Sequence, residues 1–282
     1  MAAPAWAPTR RADGRRPAAC GVPPQAAGLP LSAAKANALN MALAPTFLTN
    51  PDRFMAFSRW AAPLFGMLAV GLAAAGLWLG FTAPEDYQQG DTVRIMFIHV
   101  PAAWTCMFAY FCLGGASLLG LVFRHALADA AAAAAAPLGA AFTFLALATG
   151  SLWGRPMWGA WWVWDGRLTS VLVLFLLYIA YMALRGALDD EAKAARASAI
   201  LALVGLVNLP IIHWSVEWWN SLHQGASVFR AGGPAMGPEF LWPLLLMALA
   251  YTAAFGALWL VRIRGEVWRR RAVALQLREA RA

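Results

Sequence analysis

Charge is scarce in this chain, and it is missing altogether from its longest apolar stretches. Only 13% of the residues are charged, 61% are hydrophobic and the mean hydropathy is +0.57. These values exclude an average soluble domain. Six stretches, at approximately 61 to 82, 95 to 123, 130 to 153, 168 to 184, 197 to 214 and 240 to 261, contain no Lys, Arg, Asp or Glu. That absence counts against an ion pump or proton-coupled transporter, which places ionisable groups near the bilayer midplane. Cysteine is scarce too. The chain has three, none in a CxxC pair, and Cys106 and Cys112 fall inside an apolar stretch as small hydrophobes, so neither a disulfide nor thiol chemistry is expected. No P-loop is present, so any ATP hydrolysis belongs to a partner.

What is there is a set of membrane helices. A bilayer core takes about 20 apolar residues per helix, and an open strand would leave backbone groups unpaired in lipid. The expected class is an all-α polytopic membrane protein with six transmembrane helices. The alanine run from Ala130 to Ala136 extends the third helix at little cost, alanine being the best helix former. Residues 1–40 are rich in Ala, Pro and Arg, and are expected to be a disordered leader or the product of a start placed upstream of Met41. Residues 41–282 are expected to form a single six-helix membrane domain.

The net charge of +8 does not point to nucleic acid, because the basic residues sit in short segments between apolar runs rather than on one face. One side receives Arg53, Arg59, Arg124, Arg185, Lys193, Arg196 and the arginines from Arg262 to Arg281; the other receives Arg94, Arg155, Arg167 and Arg230. By the positive-inside rule both termini are cytoplasmic. The basic tail is expected to lie against anionic membrane lipid.

The outer side then holds the most unusual segment, residues 153–170, WGRPMWGAWWVWDGRLTS. Trp153, Trp158, Trp161, Trp162 and Trp164 crowd together there with Gly154, Pro156 and Gly159, expected helix breakers, and with Asp165 and Arg167. An interfacial belt would scatter one or two tryptophans per helix end. A concentrated strip reads instead as a flat aromatic shelf for a large planar apolar ligand.

Two further outer segments flank it: EDYQQGDTVRIMFIHVPAAW, residues 85–104, and HWSVEWWNSLHQG, residues 213–225. Between them they carry His99, His213 and His223, whereas His125 sits beside Arg124 at the cytoplasmic end. Neutral imidazole is a common axial donor to haem iron, and haem is a flat apolar macrocycle with two acid substituents. A lone histidine at a helix end is more often interfacial than a ligand; three converging on one Trp-rich face change that balance. Arg94, Arg155 and Arg167 are scarce cations that suit propionates, although Asp91 or Asp165 can equally neutralise them. A haem-conducting permease and a membrane-embedded transferase for a lipid or sugar are the competing classes. The transferase needs paired carboxylates or a metal site, and the outer acids Glu85, Asp86, Asp91, Asp165, Glu217 and Glu239 show no pair at diagnostic spacing.

The strip, together with RIMFIHVPAAW and NLPIIHWSVEWWNSLHQG, resembles the haem exporter protein C family, the haem-handling WWD-domain proteins of bacterial cytochrome c maturation, over about residues 55–262. The resemblance implies a multi-pass inner-membrane subunit, not an enzyme, that binds haem b non-covalently. It implies partners as well: ABC transporter ATPase and permease subunits, a small single-span accessory membrane subunit, and a membrane-anchored periplasmic chaperone that receives the haem. In the family one histidine from each flanking loop ligates the iron, which puts those roles on His99 and His223, with His213 the rival for the second. The corresponding expectation places haem over Trp158, Trp161, Trp162 and Trp164, its propionates near Arg94 and Arg167 and a vinyl edge toward the periplasm.

Overall fold

The computed structural model describes residues 50–280 apart from Ala226, so the expected leader, 1–40, lies outside the described residues. Among those residues there are helices and no strands. They are α1 (Pro51–Thr82), α2 (Met96–Phe123) preceded by a short 3-10 turn (Asp91–Ile95), α3 (Ala126–Trp158), α4 (Gly166–Ala187), α5 (Glu191–Gly205), α6 (Asn208–Trp218) and α7 (Pro238–Glu279). Six helical segments are long and apolar enough to cross a membrane, with α5 and α6 together making the fifth.

The helix starts follow from the sequence. Asn50 accepts from the amides of Asp52 and Arg53 at the head of α1, and Asp190 accepts from Ala192 and Lys193 at the head of α5. His125 caps α3 by accepting from the Ala128 amide at 3.2 Å, which gives this histidine a structural role at the far end from the other three. Small residues let the helices close on one another, as membrane packing requires. α1 lies along α7, where a Cβ on Gly76 would come within 2.9 Å of Met247. The centre is filled by Tyr110, Leu113, Leu174, Tyr178 and Phe255 from α2, α4 and α7, with alanines of the 130–136 run packed among them. The Tyr178 hydroxyl donates to the Cys106 carbonyl at 2.8 Å, so a polar group in the bundle interior is satisfied.

Three features depart from the expectation. First, the fifth span is not one helix. Pro210 has no N–H and its ring crowds the Leu206 carbonyl, so the chain tightens into 3-10 bonds from Leu206 to Leu203 and Val207 to Val204. The buried Asn208 side chain then donates to the Ser170 carbonyl at 2.9 Å and pins the break to α4. Second, α3 does not stop at Trp153. Pro156 falls in its last turn, where its missing N–H leaves the Leu152 carbonyl without its intrahelical donor, and Gly154 is a packing contact, since a Cβ there would meet the Trp158 ring at 3.1 Å. The helix ends at Gly159, in the left-handed region at φ 74. Only residues 159–165 of the Trp-rich strip are non-helical.

Third, the basic tail is helical and engaged. At 1.5 Å per residue, the 42 residues of α7 span about 63 Å, roughly twice a bilayer core. In its distal half Arg270 pairs with Asp129 and Glu266, Arg269 with Glu266 and Glu191, and Arg271 with Asp52. Arg185 of α4 completes the knot by gripping Asp129 at 2.6 Å and 3.0 Å. Arg269, Arg270 and Arg271 of the tail thus meet protein carboxylates.

Candidate functional site

Because the spans alternate in direction, residues 83–95, 159–165 and 219–237 gather at one end of the bundle, opposite the arginine knot. Two imidazoles are seated there by different means. His223 lies in the loop after α6, and its Nδ1 is 3.0 Å from Asp165 Oδ2. The other oxygen of the same carboxylate caps α4 by accepting from the Leu168 amide at 2.8 Å. Ser221 donates its hydroxyl to Asp165 Oδ2 and accepts from the His223 amide at 3.1 Å. A single buried carboxylate therefore starts a helix and holds a histidine.

The charges follow from this geometry. Burial alone would raise the Asp165 carboxyl, but the bonds from Ser221, the Leu168 amide and His223 outweigh it, so it sits below its ordinary value and stays ionised. Burial lowers His223, and the charge of Arg167 adds to this. The Asp165 bond opposes both without reversing the direction, so the imidazole is neutral at neutral pH. A neutral ring that donates from Nδ1 to a carboxylate presents the Nε2 lone pair outward.

His99 stands on the first turn of α2. Its Nδ1 is 3.1 Å from the Thr149 hydroxyl, which itself donates to the Leu145 carbonyl at 2.6 Å. With its proton committed there, the hydroxyl oxygen is placed to accept from a His99 Nδ1–H, and in that tautomer Nε2 is the free nitrogen. Gly150 provides room, since a Cβ would come within 2.9 Å of the ring.

The end of α3 places a tryptophan beside each imidazole. Trp153 meets His99 edge-on at 5.7 Å and Trp158 meets His223 at 4.7 Å. Trp153 is held in turn by its Nε1–H donating to Gln89 at 3.1 Å.

The remaining strip is not the flat shelf expected. Trp162 and Trp164 stand edge to face, with an interplanar angle of 75°. Trp161 and Trp164 are exposed, whereas Trp162 is half-buried with its Nε1 lacking a protein acceptor. Arg94 pairs with Asp91 at 2.9 Å, and its buried Nε likewise has no partner. Arg155 donates to the Gly159 carbonyl at the helix end. Arg167 reaches Ser215 at 3.4 Å and the His213 carbonyl at 3.2 Å, tying α4 to α6. The His213 ring is exposed on α6 beside Trp214, outside the paired arrangement.

Sequence reasoning picked out His99, His223, Trp153, Trp158 and Asp165, and the structure gathers them. It missed Ser221, Thr149, Gly150 and Gln89. Ser221 was signalled by its place two residues before His223, and Thr149 by sharing a helix face with Trp153 four residues on. Among the described residues no group of three or more His, Cys, Asp or Glu is arranged to hold a metal ion directly.

Residues 45–278 match the family model described as "Heme exporter protein C". The heme exporter protein C of Bradyrhizobium diazoefficiens is 58% identical over 233 residues, covering 83% of this chain and 89% of that protein. That of Escherichia coli K12 is 49% identical over 199 residues, covering 70% and 81%, and that of Paracoccus denitrificans is 45% identical over 234 residues, covering 83% and 97%.

Proposed function

The chain belongs to the heme exporter protein C family, and from that premise we propose that it holds haem between His99 and His223 and presents it to a membrane-anchored periplasmic chaperone. Membership carries a role in haem handling for cytochrome c biogenesis. The proposal adds the site, the ligands and the recipient. The observation that carries it is that two imidazoles, each with Nδ1 within hydrogen-bond distance of an oxygen, flank the tryptophans at the end of α3. Other features fit the same cargo. The orphaned donors at Arg94 and Trp162 suit acceptor groups on its rim, and exposed Trp161 and Trp164 suit a face that docks the chaperone.

When bound, haem supplies an iron that takes two axial nitrogens and a vinyl edge open to reaction. The chain's own residues orient it: Asp165 and Ser221 hold His223, Trp153 and Trp158 wall the two rings, and no side chain here acts as acid, base or nucleophile. By the positive-inside rule the arginine-rich end of the bundle is the cytoplasmic one in this reading, and the opposite end, with the two histidines, faces the periplasm. ATPase and permease subunits and a small single-span subunit complete the complex in this reading.

The test is an absorption spectrum of the purified protein with haemin. A Soret band of six-coordinate low-spin form is expected. His99→Ala and His223→Ala should each abolish that form, with added imidazole partly restoring it, and His213→Ala should leave it intact. A low-spin spectrum that survives His223→Ala and is lost in His213→Ala would sink the assignment.

A further inference from the structure

The two histidine seats differ in the group that accepts from Nδ1. At His223 it is a buried carboxylate, which a second donor, Ser221, and the Leu168 amide hold in place. At His99 it is a neutral hydroxyl on α3 whose own proton already serves the Leu145 carbonyl. An anionic acceptor draws the Nδ1 proton toward itself and makes Nε2 the stronger donor; charge-assisted hydrogen bonds are roughly twice as strong as neutral ones. The His99 seat compensates by shape. Gly150 lets the ring lie against the α3 backbone, where any Cβ would come within 2.9 Å of Cε1, and Trp153 closes the other side edge-on.

We propose that Thr149 and Gly150 are positioning residues for His99 and seat it as the weaker of the two axial donors, the one that lets go first when haem leaves. The proposal rests on the haem-ligand reading above. Thr149 turns the imidazole so that Nε2 faces the cargo, and Gly150 sets its depth. Neither touches the iron. A donor protein has to release what it presents, and one firm ligand paired with one labile ligand meets both needs: the Asp165-held His223 retains the cargo while the hydroxyl-held His99 opens. The asymmetry is already present in the cargo-free protein.

The experiment measures haem loss from the full chain in nanodiscs to excess apomyoglobin. Thr149→Val keeps the volume and removes the acceptor, and should speed loss by about tenfold, within the range seen for outer-sphere partners of metal-bound histidine. Thr149→Ser, which restores the hydroxyl, should return the rate to near that of the unaltered chain. Gly150→Ala should also speed loss. Adding Thr149→Val to His99→Ala should change nothing further, whereas adding it to His223→Ala should. His223→Ala should lose haem faster than His99→Ala.

A second readout does not need haem. Nitrogen-15 spectra of the histidine-labelled, haem-free protein should show His99 protonated at Nδ1, and Thr149→Val should shift that tautomer balance. Normal haem loss in Thr149→Val, failure of Thr149→Ser to rescue, faster loss in His99→Ala than in His223→Ala, or a His99 proton on Nε2 would each overturn the proposal. A low-spin spectrum retained by His99→Ala would instead remove the ligand reading on which it rests.

Discussion

The two ends of the bundle solve the problem of polar groups in opposite ways. At the knot, Asp129 is shared by Arg185 and Arg270, Glu266 by Arg269 and Arg270, and helices α3, α4, α5 and α7 are joined by opposite charges. At the site end the groups that matter are neutral rings and single donors, and Arg94 Nε and Trp162 Nε1 have no protein partner. Buried polar groups in native proteins are nearly all hydrogen-bonded, so exceptions call for an explanation. The knot is complete by itself. Arg94 Nε and Trp162 Nε1 at the site end, like the Tyr110 and Ser117 hydroxyls on α2, have no protein partner.

The comparison is broken most directly at Asp165, the buried carboxylate at the site end. Asp165→Asn keeps an oxygen to cap α4 but turns an amide N–H toward His223 Nδ1–H. Two donors cannot face each other, so the His223 proton moves to Nε2 and the free lone pair is lost. Haem affinity should fall about 10- to 100-fold, with little change in thermal stability. Asp165→Ala should lose affinity similarly and a further ~1 kcal/mol of stability, from the missing cap. Haemin titration beside a thermal melt checks both, and unchanged affinity in Asp165→Asn would mean that the carboxylate serves only the helix.

The converse change belongs to the knot. Asp129→Asn leaves Arg185 and Arg270 without their shared partner in a partly buried place and should cost about 2 kcal/mol. The haem spectrum should not change. A melt that falls while the Soret band stays in place would confirm the division; a shifted band would show that the two ends are coupled along α3 and α4.

Much of this division is legible in the sequence, for a physical reason. Membrane helices announce themselves by what they exclude, and the absence of charge alone locates all six spans. The histidines flanking the Trp-rich strip are legible because both features are rare. What is not legible depends on contacts between distant residues. Asp165 reads as a possible partner for an arginine, and only the fold brings Ser221 and His223 to it across more than fifty positions. Gly154 and Pro156 read as breakers, yet α3 passes through both because the packing of Trp158 favours the helix. Thr149 is hidden because a threonine that bonds back to its own helix is an ordinary sight in an apolar span. Pro210 was visible, but its effect on the Leu206 carbonyl becomes a helix break only where Asn208 finds Ser170.

The exposed tryptophans give a smaller expected effect. Trp161 and Trp164 are exposed, and the histidine rings pair with Trp153 and Trp158 instead, so Trp161→Ala or Trp164→Ala should leave the haem spectrum nearly unchanged while slowing transfer to the chaperone severalfold, as loss of an aromatic contact at an interface does. Phe in their place should be milder. A Trp161→Ala, Trp164→Ala double variant with full transfer would return these rings to the role of an interfacial belt.

The smallest effect is expected at the arginines, where the structure separates residues the sequence treated alike. Arg167 is committed: it spans from α4 to Ser215 and the His213 backbone, so Arg167→Gln should loosen α6 and lower the melt rather than discriminate among ligands. Arg94 is half committed, with one Nη on Asp91 and its Nε without a partner, and its side chain is one-third exposed. A partly solvated charge of that kind contributes up to about 1 kcal/mol, so Arg94→Gln should weaken haemin binding about fivefold at most. The control is haemin with esterified propionates, which carries no acid for the guanidinium to meet. Unaltered protein and Arg94→Gln should bind the ester equally, and raising the salt concentration should erase the difference seen with the free acid. If the fivefold difference persisted with the ester, Arg94 would be acting through Asp91 on the loop before α2, and the propionates would need another partner.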